Sequence, residues 1–63
     1  MSQVKGKITQ IVGPVIDVEF DSAKDLPRIY DSLAVKRENK SDLILEVQSH
    51  IGENSVRTIA MDS

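Results

Sequence analysis

The chain has 63 residues, no cysteine, a single histidine and a net charge of −2. That allows one domain and excludes a disulfide framework, a cysteine-based metal site and a histidine-rich one. It also lacks the basic excess of a nucleic-acid groove and the ~20-residue apolar run of a membrane span.

A chain this short buries only about 60% of the surface that its unfolded form exposes. Small domains commonly add a disulfide, a metal or a partner to their core, and here a partner surface is the expected support. Met-Ser-Gln-Val-Lys at the start carries neither the apolar core of a signal peptide nor the Arg/Ser-rich character of a transit peptide. A bacterial-type cytoplasm is the expected compartment.

Val and Ile recur in short runs separated by turn formers, the pattern of β-strands. The first strand is predicted at Val4–Val12 and the second at Ile16–Phe20. A loop rich in turn residues follows, Asp21-Ser22-Ala23-Lys24-Asp25-Leu26-Pro27. Ile29–Arg37 reads as a helical turn leading into strand at Leu33-Ala34-Val35, and Glu38-Asn39-Lys40-Ser41-Asp42 as a polar turn. Leu43–Ser49 is the clearest strand, with Leu43, Leu45 and Val47 on one face. The chain turns again at His50-Ile51-Gly52-Glu53-Asn54 and ends in a fifth strand, Ser55–Met61. Five short strands, each with one apolar face, predict an all-β fold, a small antiparallel barrel or curved sheet. Open edges of such a sheet are sites for pairing with another chain.

Register decides which face of the first hairpin is buried. A three-residue connection, Gly13-Pro14-Val15, sets Val12 opposite Ile16, Gln10 opposite Val18, Ile8 opposite Phe20 and Lys7 opposite Asp21. One side is then nearly all apolar, with Gln10 the misfit that points to a bulge or a hydrogen-bonded polar residue.

Chemistry-bearing constellations are few. Gly6, Gly13 and Gly52 are isolated and nothing matches G-x-x-x-x-G-K-[ST], so no phosphate-binding loop is present. Asp17 and Glu19 share a strand face and could form an acid–base pair, but lysines accompany them and a solvated charged face is the better reading. His50 beside a turn reads as a surface or capping histidine, and Arg57 as an exposed strand arginine or a bridge to a neighbouring subunit. Phe20 and Tyr30 are the only aromatics. Two are too few for an oligonucleotide-stacking platform, which leaves a core or interface role.

Three stretches carry a resemblance. They are Gly6-Lys7-Ile8 with Ile11-Val12-Gly13-Pro14-Val15-Ile16-Asp17-Val18-Glu19-Phe20, then Leu26-Pro27 with Ile29-Tyr30 and Leu33-Ala34-Val35, and finally Leu45-Glu46-Val47 leading through His50-Ile51-Gly52-Glu53-Asn54 to Val56-Arg57-Thr58-Ile59-Ala60-Met61-Asp62. In order and spacing they resemble the N-terminal β-barrel of F-type ATP synthase beta subunits of bacterial type. The last run separates beta from the alpha subunit and from vacuolar and flagellar relatives.

That resemblance implies an assembly module spanning residues 1–63, with five of the family's six strands and the sixth following Ser63. Its partners are alpha subunits on both sides of a hexameric ring, at the cytoplasmic face of the bacterial inner membrane. The parent complex makes ATP from ADP and phosphate with a proton gradient. ATP, ADP and magnesium belong to the parent subunit downstream, and no catalytic, cofactor or metal residue matches here. The expected ring contacts are Lys5, Lys7, Glu19, Arg57 and Ile59. Strand addition at an open sheet edge is a further expected contact. Two rival readings are the barrel of a related motor such as a flagellar export ATPase, and a stand-alone oligonucleotide-binding barrel.

Overall fold

Alternating β-branched and polar residues produce five strands in the computed structural model, which describes residues 4–61. They are β1 (Gly6–Val12), β2 (Val15–Phe20), β3 (Ser32–Val35), β4 (Leu43–His50) and β5 (Ser55–Ala60). One 3-10 turn, Ala23–Asp25, interrupts the long β2–β3 connection. All pairings are antiparallel and the sheet order is β1-β2-β5-β4-β3, so β1 and β3 are its edges. The sheet curls into a half-barrel around Ile16, Val18, Phe20, Leu45, Val47 and Val56. Leu26 from the β2–β3 connection and Leu33, Val35, Leu43 and Ala60 pack against that cluster.

Two bulges contribute to the curl. One extra residue in β1, at Thr9, and one in β4, at Gln48, break the register. An unpaired residue bends its strand and increases the local twist. Buried Thr58 lies inside the core, where its hydroxyl donates to the Ile16 carbonyl at 2.8 Å and so is not left without a partner.

The first hairpin corrects the expected register. Its connection has two residues, because Val12 pairs directly with Val15. Gly13, at φ 56°, supplies the positive angle that the first position of such a turn needs, and the Pro14 ring fits the second. Ile11 therefore faces Ile16 and Gln10 faces Asp17. Beyond the bulge Ile8 faces Val18, Lys7 faces Glu19 and Gly6 faces Phe20. The expected bulge exists, but it falls at Thr9 and turns Gln10 to the outer face. Gly6 packs so closely on the core that an added Cβ would sit 2.5 Å from Val18 Cγ1.

Hydrogen bonds close the far end. Asn54 brackets Phe20, its carbonyl accepting from the Phe20 N–H at 2.8 Å and its side-chain amide donating to the Phe20 carbonyl at 2.7 Å. His50, expected as a surface or capping residue, is exposed and its Nε2 lies 2.7 Å from the Pro27 carbonyl. A carbonyl only accepts, so Nε2 carries the hydrogen in this contact. The helical turn expected early in Ile29–Arg37 is replaced by a β-turn at residues 28–31, where the Asp31 N–H donates to the Arg28 carbonyl.

Candidate subunit-contact face

Antiparallel register places three rows of side chains on the convex side of the sheet. Lys7, Glu19 and Ser55 form the first, Gln10, Asp17, Arg57 and Ser49 the second, and Val12, Val15, Ile59 and Glu46 the third. Alternation sends these residues outward while Ile16, Val18, Val56 and Thr58 point into the core.

The middle row carries a two-pronged charged pair. Asp17 and Arg57 are direct cross-strand partners. Arg57 Nε donates to Asp17 Oδ1 at 3.0 Å and Nη2 to Oδ2 at 3.1 Å. This two-pronged geometry suits a planar guanidinium against a carboxylate. Asp17 is only 6% exposed, whereas half of the Arg57 side chain, 49%, faces solvent. The hydrogen bonds from Arg57 hold the Asp17 carboxyl below its usual range. Burial pushes it the other way, and the Arg57 charge reinforces the lowering. Arg57 is raised by the same hydrogen bonds and by the Asp17 charge.

The expectation of a solvated Asp17–Glu19 face is thereby corrected for Asp17. Its carboxylate is neutralised across the strand, and the Thr9 hydroxyl donates to its backbone carbonyl at 3.3 Å. Arg57 is an exposed arginine of β5, as expected, and it is also paired with Asp17. A carboxylate locked ionised against a guanidinium is a poor general acid or base, which needs a pKa near the working pH.

On one side of this pair lie the apolar residues Val12, Val15 and Ile59. Gln10, Val12, Val15, Asp17 and Arg57 line a depression of ≈ 320 Å³. Val12 is 59% exposed, while Val15 and Ile59 are half-buried. A charge pair flanked by exposed Val12 and half-buried Val15 and Ile59 has the make-up of a protein-contact surface, where arginine and apolar groups meet.

Of the five expected contact residues, Lys7, Glu19, Arg57 and Ile59 share this convex face. Lys5 stands apart, on the rim of a groove of ≈ 760 Å³ between the two edges of the sheet. Gly6, Ile8, Phe20, Leu33 and Leu45 are among the residues lining that groove. Asp17, Gln10, Val12 and Val15 were absent from the expected set. The Gly-Pro pair was the available signal, since a two-residue turn moves Gln10 and Val12 to the outside. Among the described residues no three of His, Cys, Asp and Glu converge on a point that could hold a metal.

A sequence model described as "ATP synthase alpha/beta family, beta-barrel domain" matches residues 8–63, a span that includes β2 to β5 and both members of the Asp17–Arg57 pair. The chain therefore belongs to the ATP synthase alpha/beta family, and its curled sheet corresponds to that family's β-barrel domain.

Proposed function

We propose that this domain belongs to the catalytic beta subunit of a bacterial, proton-driven ATP synthase and serves as its assembly module. Its convex face packs against an alpha subunit on the ring, holding the hexamer together while the downstream nucleotide-binding part changes conformation. The observation that carries the reading is the Asp17–Arg57 pair, which is rigid, half-exposed on the arginine side and bordered by Val12, Val15 and Ile59. The beta assignment draws on the run Gly52-Glu53-Asn54-Ser55-Val56-Arg57-Thr58-Ile59-Ala60-Met61-Asp62.

The same reading places the complex at the cytoplasmic face of the inner membrane and leaves ATP, ADP and magnesium to the downstream part. It also assigns the groove between β1 and β3 to an added strand, the sixth of the barrel. Unpaired backbone on both edges and an apolar floor of Val18, Phe20 and Leu45 suit strand addition.

The test uses the whole beta subunit mixed with alpha subunits, with ring formation followed by mass photometry. Glu19→Lys combined with the swap Asp17→Arg/Arg57→Asp keeps the internal pair but inverts the charge pattern of the face. Assembly is expected to weaken by roughly tenfold or more, as for disruption of a contact hot spot. Unchanged assembly would remove this face from the interface.

A further inference from the structure

The connection from β2 to β3 is tied down along its length yet presents its largest side chain to solvent. Ser22 caps the 3-10 turn by accepting from the Lys24 N–H at 3.2 Å, and Leu26 packs on the core. His50 bonds the Pro27 carbonyl. Residues 28–31 form a turn closed twice, by the Asp31 N–H to the Arg28 carbonyl at 3.0 Å and by the Asp31 carboxylate accepting from the Arg28 N–H at 2.8 Å. The turn is then stitched to β4. The Tyr30 N–H donates to the Val47 carbonyl at 2.7 Å, and the Val47 N–H to the Asp31 carbonyl at 2.9 Å.

Tyr30 occupies the third position of this turn with φ 74°. Glycine or asparagine ordinarily takes a positive φ there, and a bulky residue in that region strains the backbone. The ring returns little within its own chain, since Tyr30 is 72% exposed. Beside it Ile29 is 41% exposed and Arg28 is also exposed. A strained aromatic on a rigid turn, flanked by an isoleucine and an arginine, has the composition of an interface anchor. Rigidity lowers the ordering cost of docking.

This turn is bonded to β4, whereas the Asp17–Arg57 pair spans β2 and β5. A ring of alternating subunits needs two different contact patches on each member, one for each neighbour. We propose that Arg28-Ile29-Tyr30 is the second patch, a docking knob that seats Tyr30 in an apolar recess of an adjoining alpha subunit. The recess offers an acceptor to the phenol hydroxyl and a carboxylate to Arg28. This assignment rests on the ring-assembly reading above.

The test again uses the whole beta subunit with alpha subunits, comparing wild type, Tyr30→Gly and Tyr30→Phe. Tyr30→Gly relieves the φ strain, so its melting temperature stays at or above that of the wild type. Its ring formation is expected to need roughly tenfold more protein or higher, while Tyr30→Phe stays much closer to wild type. Normal assembly of Tyr30→Gly would overturn the knob alone. A lowered melting temperature would do the same, by showing that the ring packs within its own chain. Failure of the wild type to assemble with alpha subunits would overturn the ring reading itself and the knob with it.

Discussion

β1 and β2 are the two arms of one hairpin and both are rich in isoleucine and valine, yet their fates differ completely. Every residue of β1 is exposed, whereas four of the six in β2 are buried. Ile11 and Ile16 face each other across the pair, but Ile11 is 62% exposed and Ile16 only 4%. The side chains are the same and the strand geometry is the same. What differs is the number of neighbours, because β2 lies between β1 and β5 while β1 has a partner on one side only. Hydrophobicity thus marks which face a residue takes, and position in the sheet determines how much water that face loses.

The largest test of this contrast compares Leu45, fully buried on β4, with Ile11 on the edge. Leu45→Ala is expected to lose about 2–5 kcal/mol through transfer and cavity terms. Ile11→Ala should lie near the ~0.5 kcal/mol range of surface changes. Urea midpoints of the two variants measure the gap, and equal losses would refute the account of the edge.

Gly6 sharpens the comparison, since it is the place where exposed β1 nevertheless touches the core. Gly6→Ala is expected to cost about 1–3 kcal/mol, the usual penalty of overpacking, because its Cβ would meet Val18 Cγ1 at 2.5 Å. Val18→Ala removes the clashing atom. The double variant should then lose less than the sum of the singles, and simple additivity would show that the contact is not the cause.

A smaller effect separates the ion pairs of centre and edge. Lys36 and Asp42 lie 3.2 Å apart at the base of the β3–β4 turn, with the lysine side chain 89% exposed, and surface pairs of this kind contribute little. Asp17 differs because its folded pKa lies below its unfolded value. Its stabilisation is complete above the unfolded pKa and is lost as pH falls through the folded one. Thermal stability should therefore drop as pH falls below about 4. Asp17→Asn should begin less stable at neutral pH and show a shallower acid decline, while Asp42→Asn should cost little stability at neutral pH.

Much of the fold was legible in the residues. The strand cores, Phe20 in the interior, the polar turn at residues 38–42 and a bulge in the first strand all follow from alternation and turn chemistry. The register of the hairpin did not. Reading Gly13-Pro14-Val15 as the loop kept one apolar stripe continuous, whereas the chain turns in two residues and recovers the stripe with an extra residue at Thr9. Tyr30 was open between core and interface, and only the backbone angle and exposure of its turn take it out of the core.

Local chemistry by itself determined that the chain is all-β, where its strands run and that it contains no phosphate-binding loop, since period-two alternation and turn residues act over a few neighbours. Tertiary structure alone decided that Asp17 meets Arg57 forty residues away, that Val12, Val15 and Ile59 line up in the third row of the convex face and that β1 stays wet. Those outcomes depend on strand order and on single-residue bulges. A one-residue change in register reverses which face a side chain occupies, and nothing local reports it.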